Sequence, residues 1–285
     1  MCVCDALFLV FISFLTRKVL VLRAQHAFTP ENTGVEAPPA AAPSLADPID
    51  AVNQVVDRSF DVHEAFAHLK KVDKGLAKAI TEKDIAAYVA RVQQTDSSNP
   101  FRDLASSIIY QQLSGKVAAV IRTRFVSMFA EEHKVKVPKA VTGDFKWFPT
   151  AEMVLAKTPE ELKTVGLSLR KSQYILDLAQ KFKDNDITTY RLHRMSDDEI
   201  RELLIQVKGI GPWTVDMYLM MDLGHSDILP TTDLGIRKGI AKHFNLKNNL
   251  PSPDEMERLT KHWRPYRSVA CWLMWRLLDI KTAAD

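Results

Sequence analysis

Cysteine is scarce in this chain, with three among 285 residues. Cys2 and Cys4 sit at the N-terminus and Cys271 in an apolar stretch, which excludes a disulfide framework. It also excludes a four-cysteine cluster near the C-terminus that would hold iron–sulfur. The eight histidines are scattered without ligand spacing, so no catalytic metal is expected. An excess of one charge is lacking as well. A net charge of +3 is too mildly basic to argue a nucleic-acid partner from bulk electrostatics, so any such role must come from local placement. The apolar run from Ala6 to Leu15 falls well short of the roughly twenty residues that cross a bilayer, and no stable membrane association is expected. Asp5 precedes that run and no basic segment leads it, unlike a secretory signal. An organelle-targeting leader and a misplaced gene start both remain open. Strand signals are nearly absent: Lys134-Val135-Lys136-Val137 before Pro138 is the only alternating run. The fold class expected is therefore all-α, without internal repeats.

What is present is a globular composition, 46% hydrophobic and 26% charged, enough for one large or two small cores. Residues 28–50 are rich in proline and alanine and are expected to be disordered. With the apolar leader they set residues 1–52 apart from a folded domain over residues 53–285. From about Asp50 the apolar spacing is helical: Val62, Phe66 and Leu69; Leu104, Ile108 and Ile109; Ile175, Leu178 and Ala179. Val215 and Met217 through Met221 are apolar on every side, the mark of a buried central helix, and Gly224 suits its C-cap.

Just before that helix comes Val207-Lys208-Gly209-Ile210-Gly211-Pro212-Trp213-Thr214. It reads as two helices joined by a tight hairpin, the first carrying Leu203, Leu204 and Val207. Gly209 and Gly211 permit a sharp turn and close approach of the backbone to another surface. Pro212 fits the first position of the second helix. The free amides of Gly209, Gly211 and that first turn form an anion site suited to a phosphate. A plain glycine-capped αα-corner is the competing reading of a bare Gly-x-Gly. Downstream, Asp233 in Pro230-Thr231-Thr232-Asp233-Leu234 reads either as the N-cap of a helix or as a working carboxylate. Thr232 could cap that helix equally well.

These residues resemble the helix-hairpin-helix motif and catalytic aspartate of the base-excision DNA glycosylases. Three further blocks narrow the resemblance to the alkylation-repair branch, the 3-methyladenine DNA glycosylases of the yeast and inducible bacterial type. They are Ile108 through Ala119 with Gln111-Gln112-Leu113, Gly166 through Ile175, and Trp263 through Ser268 followed by Trp275. Together with the hairpin they span about residues 60 to 280 in family order. The resemblance implies two helical subdomains with a cleft between them. One holds roughly residues 100–220; the N-terminal helix and the C-terminal segment form the other, with Asp233 at the mouth. A β-rich N-terminal domain found in the bacterial relative is not expected.

The site that the resemblance implies is specific. Asp233 is the catalytic carboxylate, stabilising positive charge on the sugar as the N-glycosidic bond breaks and orienting water. Trp213 stands where bifunctional members carry a lysine that forms a Schiff base, so base removal without strand cleavage is expected. Trp213, Tyr218 and Trp275 are the candidate walls for a flipped base, with core packing the competing reading for each. Tyr218 is offset by one residue from the family's aromatic, and Met217 stands at the matching place. Electron-poor, positively charged alkylated purines would be held by cation–π attraction. Gln112 and Leu113 are the candidate wedge for the vacated stack, although Leu113 packed inward is equally consistent. Lys208, Gly209, Gly211, Thr214 and Arg237 are the candidate contacts to the DNA backbone. Arg237 could instead pair with Asp233. Lys116, Arg122 and Arg124, then Arg170 and Lys171, then Arg237 and Lys238 are basic clusters that contact phosphate or simply face solvent. The carbonyls of Ile205, Val207 and Gly209 match those with which the family cradles a structural Na+ or K+. No other cofactor is implied.

The expected partner is double-stranded DNA with alkylated bases, with a downstream abasic-site endonuclease. The protein is expected to be a monomer acting in the nucleus, or in an organelle if the leader directs it there. Two other functions fit weaker subsets of these residues. A non-catalytic helix-hairpin-helix module would need the hairpin but not Asp233 and an aromatic pocket. A glycosylase for oxidised or mismatched bases is opposed by Trp213 and by the missing cluster cysteines.

Overall fold

A computed structural model describes residues 60–94, 97–135, 147–247 and 250–282, with side chains to residue 278. The leader, the Pro/Ala-rich segment and most of the alternating run after Val135 lie outside the described residues. Among those described, every regular element is helical: α1 (Val62–Val72), α2 (Lys74–Ala79), α3 (Glu82–Gln94), α4 (Pro100–Tyr110), α5 (Gly115–Glu132), α6 (Ala151–Leu155), α7 (Pro159–Lys163), α8 (Leu169–Lys183), α9 (Thr189–Leu192), α10 (Asp197–Leu204), α11 (Pro212–Met217), α12 (Leu234–His243), α13 (Pro253–Thr260) and α14 (Arg267–Thr282).

The helix ends follow from the sequence. Asp61, Asp73, Asn99, Thr150, Thr158, Ser168, Thr188, Ser196, Asp233 and Ser252 each cap an N-terminus with a side-chain oxygen. Thr158 with Glu161 and Ser196 with Glu199 complete capping boxes. Helix α11 widens into a π-helical segment at Tyr218–Asp222. Gly224, at φ +71°, then ends it.

The helices fall into two groups. Helices α4, α5, α6, α7 and α8 pack on one another, whereas α1 packs on α2, α3 and α14, and α12 packs on α14. The central α11 and its π segment run between the groups: α11 packs on α10, and the π segment on α4. Arg91 of α3 reaches from the other side to the carbonyls of Met221 (3.2 Å) and Met220 (3.4 Å). Residues Val215 through Met221 are accordingly buried, as the apolar character of all but Asp216 requires.

One buried carboxylate fastens the second group. Asp73 caps α2 and accepts from Trp263 Nε1 at 2.8 Å, His243 Nε2 at 2.8 Å and His262 Nε2 at 3.2 Å. Those partners lie on α12 and the 3-10 turn Lys261–Trp263. Burial alone would raise the Asp73 pKa, but the donors from His243, Leu76 and Trp263 outweigh it and hold the group far below the usual carboxylate range.

Candidate active site

The hairpin is built from the core outward. Helix α10 buries Ile200 and Leu204, and the turn after it plugs Val207 and Ile210 into the same core, with Ile210 N–H donating to Val207 O at 3.0 Å. Between these plugs Gly209 takes φ +84°, and a Cβ there would overlap the Tyr174 ring of α8. Gly211 differs. Its φ is −110° and nothing among the described residues lies within 4 Å of a Cβ built on it, so neither backbone strain nor packing against them requires glycine there. Pro212 opens α11, whose N-terminus carries no side-chain cap. The amides of Gly209 and Gly211 have no partner among the described residues. They remain available to an anion.

Asp233 follows a turn closed by its own N–H on Pro230 O at 3.1 Å. It is the N-cap of α12, and Thr232 is not: its Oδ1 accepts from Ile236 N–H at 2.7 Å. Capping and catalytic readings therefore do not compete, because the cap uses one oxygen. Trp275 Nε1 donates to the same Oδ1 at 3.0 Å, and Trp213 Nε1 donates to Oδ2 at 2.7 Å. Helix α14 can deliver Trp275 because α12 and α14 nearly touch. A Cβ on Gly239 would lie 2.6 Å from Met274 Cβ and 2.7 Å from its carbonyl oxygen. Asp233 is 8% exposed and Trp275 6%, whereas Trp213 is half-buried and presents part of its indole.

Asp216, one turn after Pro212 on α11, went unnoticed in the sequence. It is buried and bound by Arg201 of α10 through Nη2 (2.9 Å) and Nε (3.2 Å). Burial raises its pKa, Arg201 pulls it back, and the charge of Asp233 raises it further. The only local signal was an acidic residue inside an otherwise apolar helix.

Among the remaining expected residues, the structure corrects Tyr218, Thr214 and Arg237 and places the others. Tyr218 is not a pocket wall: it is 1% exposed and its hydroxyl is buried without a hydrogen-bond partner among the described residues. Met217 at the matching place is also buried. Thr214 is buried, so its side chain does not reach a backbone phosphate. Arg237 neither pairs with Asp233 nor points freely outward; its Nε donates to Pro251 O at 3.2 Å. Lys208 is paired: its amide donates to Asp177 Oδ2 at 2.9 Å, and Nζ lies 3.3 Å from Oδ1. Arg122 donates to Ser106 Oγ at 3.0 Å. Lys171 is half-buried and donates to the carbonyls of Ile109 (2.7 Å) and Gln111 (2.6 Å). Lys116, Arg124, Arg170 and Lys238 are exposed. In the turn after α4, Gln112 is exposed at φ +56°, while Leu113 is partly buried against the core.

For the hairpin carbonyls, the donor set suits a hard monovalent cation. Val207 O accepts from Ile210 N–H, and Gly209 O from Gln111 Nε2 at 2.7 Å. Each keeps a second lone pair.

Comparison with known proteins agrees with the all-helical architecture. Residues 105–265 match the family described as HhH-GPD superfamily base excision DNA repair protein. The chain is 30% identical over 252 residues to the DNA-3-methyladenine glycosylase of Saccharomyces cerevisiae, covering 77% of this chain and 81% of that protein. It is 25% identical to the Alkylbase DNA glycosidase-like protein mag2 of Schizosaccharomyces pombe, covering 78% and 96%. It spans only 56% and 57% of the length of two Bacillus subtilis relatives. Among solved structures, the Schizosaccharomyces pombe 3-methyladenine DNA glycosylase (Mag1) in complex with abasic DNA superposes with a TM-score of 0.57 at 27% identity, covering 75% of this chain and 95% of that one. This chain belongs to the HhH-GPD superfamily of base excision DNA repair proteins.

Proposed function

We propose that the protein is a monofunctional DNA N-glycosylase that flips out alkylated purines, 3-methyladenine and 7-methylguanine among them, and excises them with water. The observation that carries this reading is the carboxylate of Asp233, gripped by two indole N–H groups and one backbone N–H beside an uncapped hairpin. The N–C1′ bond breaks with its electron pair leaving on the purine, and positive charge develops on the sugar. A fixed carboxylate stabilises that charge and takes the proton of the water that adds at C1′. The products are a free purine and an abasic site.

Each remaining residue has a place in that reaction. The half-buried indole of Trp213, together with Trp275 on the other side-chain oxygen of Asp233, forms the wall for the flipped purine, and the cationic charge of an alkylated ring strengthens the contact. Gln112, the exposed tip of its turn, enters the stack, while Leu113 supports it from within. The amides of Gly209 and Gly211 hold a phosphate, with a Na+ or K+ on the carbonyls of Ile205, Val207 and Gly209. Lys208 joins them by releasing an exposed ion pair, at a cost of about 1 kcal/mol or less. Arg237 steadies the loop at Pro251 through its carbonyl. An abasic-site endonuclease acts next. The protein works as a monomer on nuclear DNA, or in an organelle if residues 1–27 direct it there. Imaging C-terminal fusions with and without those residues separates the two locations.

The test is release of labelled base from methylated duplex DNA by wild type and by Asp233→Asn. Release by wild type alone is expected. Binding without release by both proteins would make the hairpin a mere anchor, and release of 8-oxoguanine but not alkylpurines would assign the oxidised-base specificity.

A further inference from the structure

Helix α8 carries Lys171, Tyr174 and Asp177 at spacings of three, on one face. All three face the DNA-engaging loops rather than solvent. Lys171 Nζ holds the carbonyls of Ile109 and Gln111, which close α4 where carbonyls lack helical partners. The Tyr174 ring lies against Gly209, and Asp177 takes the amide and ammonium of Lys208. The circuit closes between the loops themselves, because Gln111 Nε2 donates to Gly209 O at 2.7 Å.

We infer that Lys171 is a positioning residue for base extrusion, locking the Gln112 turn at a fixed distance from the phosphate-holding hairpin. The inference rests on the proposed reading of that turn as the wedge. On the proposed reading both loops act on the same duplex at once, one pressing on a phosphate and the other entering the stack. A turn free to slide relative to the hairpin would lose that register, and small misplacements of such groups are costly in rate. Burial pushes the Lys171 ammonium down to about 8, yet a lysine stands there instead of an apolar residue of the same length. Its two carbonyl contacts account for that choice, since a methionine would fill the space and hold neither.

The experiment compares base release by the full-length wild type, Lys171→Met and Lys171→Arg on two duplexes. One carries 7-methylguanine paired with cytosine; in the other the same base is an unpaired single-nucleotide bulge that needs little extrusion. Lys171→Met should lose on the order of 10²-fold on the paired substrate and less than about threefold on the bulge. Lys171→Arg, which keeps donors toward the carbonyls, should recover part of the paired-substrate rate. Equal losses on both duplexes would reduce Lys171 to a folding role and overturn the inference, as would no loss on either. Wild type inactive on both would instead overturn the glycosylase reading on which it rests. Wild type active only on the paired base would show that the turn needs an intact pair, which also contradicts a positioning role for Lys171 in extrusion.

Discussion

The Asp233 corner and the Gly209–Pro212 hairpin lie on either end of the same helix-and-loop segment, yet they treat polar groups in opposite ways. At Asp233 each carboxylate oxygen is already engaged, Oδ1 by Ile236 and Trp275 and Oδ2 by Trp213. At the hairpin, the amides of Gly209 and Gly211 have no partner among the described residues, while rigidity comes from behind, through Tyr174 and Asp177. The proposed roles of the two regions account for the contrast. A group that acts on a developing charge works best when its geometry is fixed before substrate arrives. Donors that seize a phosphate must be left unsatisfied until the phosphate supplies the acceptor.

The sharpest break of this comparison is Asp233→Asn. Asparagine still caps α12, so the fold should survive, with a cost of about 1–3 kcal/mol because its NH2 meets an indole N–H. Base release should fall by at least about 10²-fold, the scale of losing one preorganised electrostatic group, with affinity for abasic-site DNA kept. Next in size is Trp275→Phe, which removes one donor from Oδ1. Bonds to charged groups are worth about 1.5–3 kcal/mol, so single-turnover release should drop roughly 10- to 100-fold at unchanged DNA affinity.

The two hairpin glycines sharpen the other side. Gly209→Ala forces a side chain to φ +84° against Tyr174 and should destabilise the protein by about 1–3 kcal/mol as well as weaken binding. Gly211→Ala meets nothing among the described residues, so its melting temperature should stay within a degree or two of wild type while binding weakens by about the same factor on every DNA sequence. A change in base preference at intact affinity would refute the phosphate role. A last effect is a pH slope. The folded chain holds Lys171 at about 8 against 10.5 for the ordinary group, so the folded state gives up that proton first. The penalty is complete below about 8 and is relieved as pH rises toward 10.5; wild type should gain stability relative to Lys171→Met across that window in denaturant titrations.

Much of this was legible in the residues. The hairpin glycines, Pro212 and a cap at Asp233 announce themselves because turn chemistry and helix entry depend on local residue type, whereas Trp275 and a working role for Asp233 were legible only through the family resemblance. Tyr218 misled because its pocket role rested on a resemblance offset by one residue, and the competing core reading holds: Tyr218 and Met217 are both buried. Lys171 looked like a phosphate ligand because its partners are backbone carbonyls sixty or so positions away, invisible in a sequence pattern. Asp216 and Asp73 were missed for the same reason: Arg201, His243 and Trp263 meet them only once the helices pack.

The division of labour itself, with the corner reacting and the hairpin only holding, is tested most directly by borohydride trapping during turnover on methylated duplex DNA. Borohydride reduces an imine between a protein amine and the sugar to a stable adduct. Lys208, on the hairpin and 73% exposed, is the nearest amine in sequence to the position where Trp213 replaces a lysine. With water as nucleophile, no adduct forms and the strand breaks only after alkali. A covalent protein–DNA adduct, lost on Lys208→Ala, would contradict the account by putting chemistry on the hairpin.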